Sequence, residues 1–328
     1  MLERELEAAC LVVEQAMTLA AVVQGQTGKP AALTKSDLSP VTVADFAVQA
    51  QVCRELASRF PDLPIVGEED SAALHSAERA PLVEQILAQL AAAGGSFDPA
   101  SLFSAIDLGN GHPGDRFWAL DPIDGTKGFL RGEQYAVALA LIERGQVVLG
   151  ALGCPRFSLD GEDSDAGGTL FWAIRGEGAY ARDGRGGKTR RLSLPAITRD
   201  ECPVLAHSYE SNHCDHELQR EVARTLGITA PPLAIDSQVK YGAVAAGRAD
   251  IYLRIPSRLH WTYREKIWDH AAGSLIVTEA GGHSSDIHGH PLDFTAGTAL
   301  LRNTGILACA PGHARPVLDA LRRHLPRD

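Results

Sequence analysis

The amino-acid sequence predicts a layered α/β protein, and three observations point to this class. The chain opens with long amphipathic helices, its middle is a block of strands, and its last third alternates strands with helices. Its 328 residues, 45% of them hydrophobic, can bury one large core or two moderate ones. A polar, glycine-rich stretch over 183–188 predicts a division into an N-terminal α+β region, residues 1–188, and a C-terminal α/β region, residues 189–328.

The first third of the chain is predicted to be mainly helical. Apolar residues recur at helical spacing over residues 2–24 and again over residues 43–60. A short buried strand is expected at 64–67, where it runs into a loop. Residues 70–115 are rich in Ala, Gly and Ser, and only a short helix over 82–90 is expected there.

The middle of the chain changes to strand-like patterns. An apolar strand over residues 116–120 is followed by a hairpin over 135–152, whose turn is expected at Arg144–Gly145. The stretch 169–180 is also predicted to be a strand. These segments together indicate one sheet in the N-terminal region.

The C-terminal region alternates strands with helices, which is typical of a second α/β layer. The predicted elements are, in order, a strand at 203–208, helices at 215–226 and 237–246, a strand at 251–255, a helix at 267–280 that ends before Gly281–Gly282, and a final strand and helix.

Composition argues against several classes of function. The six cysteines are scattered without a Cys-x-x-Cys pair, which favours reduced thiols over disulfides or zinc ligands. A net charge of −10 with no long Lys/Arg run argues against binding to long nucleic acids. No apolar run approaches the roughly 20 residues that span a bilayer, and the N-terminal MLERELEAAC does not resemble a secretory signal. We therefore expect a cytoplasmic protein without a membrane partner. A monomer is also expected, although the sequence itself does not reveal the oligomeric state.

The most informative segment is WALDPIDGTKGFL, which follows the strand at 116–120. The strand delivers Asp121, Pro122 is expected to take the chain out of the sheet, and Asp124 follows before a tight bend at Gly125. Two carboxylates with backbone carbonyls between them suit a hard cation that prefers oxygen ligands. An ordinary turn would explain the same five residues equally well.

Three further acidic residues, taken together, favour a metal site over an ordinary turn. Glu68 follows the short strand at 64–67, where a solvated loop would explain it as well as a metal site does. Asp269 lies in the first turn of the apolar helix predicted at 267–280, where its alternative role is interaction with the helix dipole. Asp45 lies near the start of the helix at 43–60.

These motifs resemble, in order, those of the inositol-monophosphatase-like, lithium-sensitive phosphatases, and within them those of the 3′(2′),5′-bisphosphate nucleotidases. The resemblance covers nearly the whole chain and loosens only over 70–115 and about 156–235. It implies an αβαβα sandwich built from two stacked sheet-and-helix regions. The stretches that carry it are SPVTVADFAVQ, VGEE, FWALDPIDGTKGFLRGEQYAVALALIERG, DSQVKYGAVAAGRADIYLR and EKIWDHAAGSLIVTEAGG.

The resemblance implies a metal site and a catalytic pair. Carboxylates gathered in one pocket repel one another unless cations neutralise them, and Mg²⁺ suits oxygen ligands while keeping bound water. Thr126, hydrogen-bonded to Asp45, is implied to take the proton from the attacking water. The ligands implied for two or three Mg²⁺ ions are Glu68, Asp121, Asp124, Asp269 and the backbone carbonyl of Ile123.

Substrate-binding residues are also implied by the resemblance, and they lie mostly in the C-terminal region. Ser237 and Lys240 are expected on one face of the helix at 237–246, and Arg254 on the following strand. A hydroxyl, an ammonium and a guanidinium can hold a second phosphate, whereas isolated surface polar residues are the ordinary alternative. The full implied set is Thr126, His213, Ser237, Lys240, Arg254 and Asp269, with His213 aligned across SYESNHCDHE, which departs from the family's pattern.

The expected function is hydrolysis of the 3′-phosphate of 3′-phosphoadenosine 5′-phosphate, and possible activity on its sulfated form is part of this expectation. One alternative is a phosphatase of the same family that acts on inositol or sugar phosphates. Another class of function is a sensor that binds the nucleotide without cleaving it. The presence of every implied catalytic position argues against the sensor.

Overall fold

A computed structural model describes residues 2–26, 32–34, 40–161, 167–184, 186–195, 202–209, 214–257 and 260–325. The helices are α1 (Glu3–Gly25), α2 (Val43–Arg59), α3 (Ala80–Ala92), α4 (Pro99–Asp107), α5 (Thr126–Leu130), α6 (His216–Thr225), α7 (Val239–Ala245), α8 (Ala271–Glu279) and α9 (Ala314–His324). The strands are β1 (Ala32–Thr34), β2 (Pro40–Thr42), β3 (Ile65–Gly67), β4 (Arg116–Asp124), β5 (Ala136–Glu143), β6 (Gln146–Cys154), β7 (Thr169–Ile174), β8 (Gly178–Asp183), β9 (Arg190–Leu192), β10 (Leu205–His207), β11 (Leu233–Ala234), β12 (Ile251–Arg254), β13 (His283–Ser285) and β14 (Ile306–Cys309).

The strands form a large sheet, a smaller sheet and a two-stranded ribbon of β1 and β2. The large sheet has seven strands in the order β3-β4-β5-β6-β7-β8-β9, and only the β3–β4 pair is parallel. The smaller sheet has five strands in the order β11-β10-β12-β14-β13, with β10 parallel to both β11 and β12.

Helices and sheets stack in alternating layers. α1 and α2 cover one face of the large sheet, and α7 and α8 lie between its other face and the smaller sheet. α6 and α9 pack on the outer face of the smaller sheet. This is the αβαβα sandwich that the sequence predicted, and the fold class is confirmed.

Both faces of the large sheet are buried, and β4 shows how one strand serves two cores. Trp118 and Leu120 belong to the core beneath α1 and α2, whereas Phe117 and Ala119 belong to the core beneath α7 and α8. Because successive side chains point to opposite faces, a strand buried on both sides is apolar along its whole length. This explains the unbroken apolar run that precedes Asp121.

Helix α1 corrects one expectation from the sequence. With 23 residues of apolar composition, it is long enough to cross a membrane, although no such stretch was expected. Half of its most apolar window is buried inside the protein, and Val12, Val13 and Met17 belong to the core beneath α1 and α2. The helix therefore has the burial of a core element.

Several element predictions were wrong in detail. The stretch 169–180 is a hairpin of β7 and β8 rather than one strand, and helix α4 was not predicted. The hairpin turn at Arg144–Gly145 is as predicted, with both residues at positive φ, 48° and 74°. The division of the chain at residue 188 stays a prediction.

Candidate active site

A cleft of about 180 Å³ opens where the carboxyl end of β4 meets α7 and the turn that precedes α8. It brings together residues that are far apart in the sequence and that were predicted from separate motifs. The predicted site residues that line it are Glu68, Asp121, Ile123, Asp124, Thr126, Ser237, Lys240, Arg254 and Asp269.

A β-bulge at the end of β4 aims two of the carboxylates. Asp121 pairs with Ala138 of β5, and Asp124 pairs with Ala136, so three residues of β4 are matched to two of β5. In a regular strand, residues three apart would point to opposite faces, but one extra residue restores a common side. The strand therefore continues through Pro122 to Asp124, and the expectation that Pro122 takes the chain out of the sheet was wrong.

Asp45 divides its two carboxylate oxygens between a structural and a candidate catalytic contact. Its Oδ2 accepts hydrogen bonds from the backbone N–H of Thr42 at 2.7 Å and from the Thr42 hydroxyl at 2.6 Å, which closes the N-terminus of α2. Its Oδ1 lies 3.4 Å from the Thr126 hydroxyl, which also lies 3.1 Å from the carbonyl oxygen of Ile123. Asp45 is fully buried, so the α2 cap fixes the oxygen that faces Thr126.

Gln49, one helical turn after Asp45, fixes the loop that carries Glu68. Its side-chain oxygen accepts the backbone N–H of Glu69 at 3.0 Å, and its side-chain nitrogen donates to the carbonyl oxygens of Glu69 and of Ile106, the latter at 3.0 Å. A Cβ on Gly67 would lie 2.7 Å from the oxygen of this amide, so a larger residue there would displace the Gln49 side chain from these hydrogen bonds. One buried face of α2 thus positions both Asp45 and the loop that carries Glu68.

Asp269 lies in a turn before α8, because the helix begins at Ala271. The prediction that Asp269 is part of the first helical turn was wrong by two residues. Gln238 fixes this turn: its side-chain nitrogen donates to the carbonyl oxygen of Trp268 at 2.8 Å, and its side-chain oxygen accepts the N–H of Gly273 at 3.1 Å. The backbone N–H of Gln238 also donates to Asp124 at 2.6 Å, which joins the two halves of the cleft.

The crowded carboxylates test whether the site fits a cation. Burial raises the pKa of Asp121 well above its usual value, and the charges of Glu68, Asp124 and Asp269 raise it further. Burial likewise raises the pKa of Asp124 to about 6, although Lys240 opposes the shift. The pKa of Asp269 is raised by burial and by Asp124 and Glu68. Such a group of oxygen donors repels itself until cations neutralise it, so the residues fit a hard divalent ion.

Ser237 meets the opposite loop at close range. It lies before α7, with a positive φ of 68°, and not on the helical face that was predicted to carry it together with Lys240. A Cβ on Gly125 would lie 2.9 Å from the Cβ of Ser237, and Gly125 itself has a φ of 89°. The loops before α5 and α7 therefore touch at the edge of the cleft, where only glycine fits on one side.

Lys240 is a buried cation that borders the carboxylates. It is 1% exposed, its ammonium donates to the carbonyl oxygen of Ile235 at 3.2 Å, and it lies 5.1 Å from the ring centre of Tyr252. Burial lowers its pKa to about 8, although the Asp124 carboxylate opposes this shift. Lys240 therefore remains mostly charged at neutral pH.

Arg254 is positioned by an ion pair with the buried carboxylate of Glu265. Its Nε donates to Glu265 at 2.8 Å, and the other oxygen of Glu265 lies 3.3 Å from Nε2 of His270. Nδ1 of His270 lies 2.9 Å from the hydroxyl of Tyr241. Within the part of the chain that the structure describes, no acceptor contacts the two terminal nitrogens of Arg254. The guanidinium therefore presents a two-pronged donor edge to the cleft.

The protonation states of His270 and Glu265 follow from their contacts. Burial lowers the pKa of His270, so the ring is neutral at pH 7; it donates from Nε2 to Glu265 and accepts from Tyr241. Burial raises the pKa of Glu265, but Arg254 and His270 outweigh burial and hold this pKa at about 2. Glu265, Asp269 and His270 lie close enough to share an ion. However, Arg254 and Tyr241 already use the atoms of Glu265 and His270, which leaves Asp269 for a metal.

One predicted site residue, His213, lies outside the described residues. Sequence reasoning missed four residues that position or border the site, namely Gln49, Gln238, Tyr263 and Glu265. Gln49 follows Asp45 by four residues on an apolar helix, a spacing that could have indicated a shared buried face. The other three carry no pattern that separates them from ordinary polar residues.

Comparison with known proteins shows which family and fold the chain resembles. A family model described as the inositol monophosphatase family matches residues 2–323. A Candida albicans protein named 3′(2′),5′-bisphosphate nucleotidase 2 is 40% identical, with 97% of this chain and 96% of that protein covered. An Oryza sativa protein named 3′(2′),5′-bisphosphate nucleotidase is 42% identical, with coverage of 97% and 94%. The structure of a Thermotoga maritima IMPase has a TM-score of 0.66 at 21% identity and covers 97% of each chain, so the fold is that of an IMPase.

Proposed function

The chain belongs to the inositol monophosphatase family, and we propose that it is a 3′(2′),5′-bisphosphate nucleotidase that converts 3′-phosphoadenosine 5′-phosphate to adenosine 5′-phosphate and phosphate. We include the 5′-phosphosulfate form of the nucleotide among its substrates, because it presents the same 3′-phosphate.

One observation carries this proposal: a single cleft is lined on one side by the carboxylates and on the other by cations, among them Lys240 and Arg254. A bisphosphorylated substrate needs both sides, since metal ions take the phosphate that is cleaved and the cations take the other. Lys240 and Arg254 supply the second set of contacts, and Ser237 adds a hydroxyl at the edge of the cleft. A monophosphate would leave this cationic side unused.

The residues that would hold the metal are Glu68, Asp121, Asp124 and Asp269, with the carbonyl oxygen of Ile123. The family is metal-dependent, and we propose Mg²⁺, with two or three ions, as the resident cation. When bound, Mg²⁺ neutralises the phosphate and lowers the pKa of water.

Thr126 and Asp45 are proposed to remove the proton from the attacking water. The Thr126 hydroxyl lies between the cleft and Asp45 Oδ1, so it can accept a proton on one side while it donates its own on the other. Oδ2 of Asp45 stays bound to Thr42 throughout, so Asp45 keeps its position as it becomes protonated. The water oxygen forms a bond to phosphorus as the bond to the 3′-oxygen breaks. The departing 3′-oxygen takes up a proton from solvent, and Asp45 afterwards releases its proton to solvent.

We propose that the protein acts as a cytoplasmic monomer on a small nucleotide, without long nucleic acid or membrane as partner. The net charge of −10 argues against association with polyanions in general, so a small anion must be attracted by local charges. His213 belongs to the proposed substrate contacts through the family resemblance alone.

The direct test is phosphate release from 3′-phosphoadenosine 5′-phosphate, with and without Mg²⁺, and with EDTA and Li⁺ as additions. We expect turnover only with the divalent ion, and inhibition by Li⁺ as the family resemblance implies. Turnover that survives EDTA would refute the metal assignment. Stable binding without release would instead identify a sensor.

The second candidate function is hydrolysis of inositol phosphates, as in other members of this family. It predicts similar kcat/KM for inositol 1,4-bisphosphate and for the nucleotide in a substrate panel with Mg²⁺. The buried positions of Lys240 and Arg254 fit either bisphosphate, so the panel and not the cleft alone separates the two.

A further inference from the structure

Two large, exposed aromatic side chains lie in the cleft or next to it: Tyr263 lines the cleft, and Tyr209 directly follows Ser208, which lines it. Tyr209 is 63% exposed, the highest value among the large apolar side chains reported as exposed in the described residues. Tyr263, at 42%, lines the cleft on the side of Asp269. An exposed tyrosine alone means little, so the contacts of Tyr209 decide its role.

The backbone of Tyr209 is fixed to the wall of the cleft. Its N–H donates to Oδ1 of Asp236 at 3.0 Å, and both Asp236 and the preceding residue, Ser208, line the cleft. Asp236 is only 8% exposed and immediately precedes Ser237. Tyr209 therefore projects from the rim beside the residues proposed to hold the second phosphate.

Arg131 supports the ring and neutralises the rim. Its guanidinium carbon lies 5.3 Å from the ring centre of Tyr209, and its nitrogens contact Asp236 at 2.5 Å and Glu133 at 2.7 Å. Without this cation, the Asp236 carboxylate would repel an anionic substrate at the entrance. Arg131 thus reduces the repulsion between the rim of the cleft and a phosphate. It also packs near the ring of Tyr209, which stays exposed.

We propose that Tyr209, backed by Arg131, is a stacking platform for the purine base of the substrate. Every nucleobase has a π-face, and a supported aromatic ring beside a phosphate site binds it without base-specific hydrogen bonds. This inference rests on the proposed function and deepens it, because a base platform would favour a nucleotide over an inositol bisphosphate that fits the same charges.

The test compares Tyr209→Ala and Tyr209→Phe with two ligands. The first is 3′-phosphoadenosine 5′-phosphate as substrate, and the second is 2-deoxyribose 3,5-bisphosphate, which keeps both phosphates and lacks the base, as a competitive inhibitor. Tyr209→Ala should lower kcat/KM for the nucleotide between roughly 5- and 100-fold, the range for loss of one stacked base. It should leave the Ki of the base-free bisphosphate unchanged, and Tyr209→Phe should resemble the parent protein.

Two results would overturn the platform. An unchanged kcat/KM for the nucleotide in Tyr209→Ala would do so, and equal losses for the nucleotide and the base-free ligand would show an effect on the phosphate site instead. Tyr263→Ala provides the comparison, and a nucleotide-specific loss confined to that variant would place the base elsewhere. Failure of the parent protein to release phosphate from the nucleotide would refute the proposed function itself, which is a separate outcome.

Discussion

The two sides of the cleft hold their charges in opposite ways. On the carboxylate side, made of Glu68, Asp121, Asp124 and Asp269, the charges that act on Asp121 and Asp269 are mainly those of other carboxylates, whereas Asp124 also faces Lys240. On the cationic side, made of Lys240 and Arg254, each group has its own acceptor, the carbonyl oxygen of Ile235 and the carboxylate of Glu265 respectively. Most of the carboxylate side therefore lacks a countercharge within the protein, whereas Arg254 has one in Glu265.

This difference indicates which kind of ion each side of the cleft binds. The carboxylate side lowers its free energy by taking up protons or cations, so it suits resident metal ions. The cationic side is already stable when empty, and it keeps the terminal nitrogens of Arg254 directed at the cleft, so it suits a transient anion. The hydrogen bond from the backbone N–H of Gln238 to Asp124 fixes the position of the two sides relative to each other.

The largest effect is expected from Asp121→Asn, which removes one ligand from the carboxylate side. Turnover should fall by several orders of magnitude, because the metal loses an oxygen anion at the centre of its site. The raised pKa of Asp121 also predicts that the metal-free variant unfolds at a Tm no lower than the parent, since repulsion is relieved. Kinetics and thermal unfolding measure these two results.

The matched control for this change is Asp98→Asn, which alters the exposed N-cap of α4. It should leave both stability and turnover with Mg²⁺ nearly unchanged, because Asn caps a helix about as well as Asp does. Near-parental turnover in Asp121→Asn would mean that the carboxylate side does not hold the catalytic metal.

The sequence predicted the layers and the candidate residues better than their local geometry. Asp121 and Asp124 were found from motif and residue type, but the bulge that aims them depends on pairing with β5, which no local pattern encodes. Asp269 and Ser237 were placed on helices that begin two residues later, because helix ends depend on tertiary contacts such as those of Gln238. Glu265 was missed because its partner, Arg254, comes from another element.

The next effect is expected on the cationic side, from Lys240→Ala. Loss of a charge-assisted contact to the second phosphate should lower kcat/KM for the bisphosphorylated nucleotide by about 10- to 100-fold, and far less for a monophosphate. A buried lysine leaves a cavity when truncated, so Lys240→Met, which keeps most of the side-chain volume, is the second variant. Equal losses on both substrates would contradict a role in second-phosphate binding.

A smaller effect is expected from Glu265→Gln, which keeps the shape of the side chain and removes the charge that orients Arg254. The nucleotide's kcat/KM should fall by about 10-fold, with the change mainly in KM, because the guanidinium loses its fixed edge. Arg182 and Glu14 form a comparable, partly buried ion pair on the far side of the large sheet, so Glu14→Gln is the control. If both variants lose activity alike, the effect is general destabilisation and not orientation of Arg254.

The smallest effect is expected in the pH dependence of the Tm increase caused by Mg²⁺, which reports on the carboxylate side in the unmutated protein. The pKa of Asp124 is about 6, above its usual value of 3.8, so the metal-free folded protein binds more protons than the unfolded chain between these two pH values. This contribution stabilises the metal-free protein at low pH and is lost as pH rises through 6. Mg²⁺ requires the ionised carboxylates, so its competition with protons weakens as pH rises.

The increase in Tm on adding saturating Mg²⁺ should therefore grow by a few degrees between pH 5 and pH 7.5. This range stays below the pKa of about 8 of Lys240, so the cationic side keeps its charge and contributes little to the change. In Asp121→Asn the Mg²⁺-dependent increase should be small at every pH. A Tm increment in the parent protein that stays constant across this range would mean that the ion binds away from the titrating carboxylates, and the contrast between the two sides would lose its chemical basis.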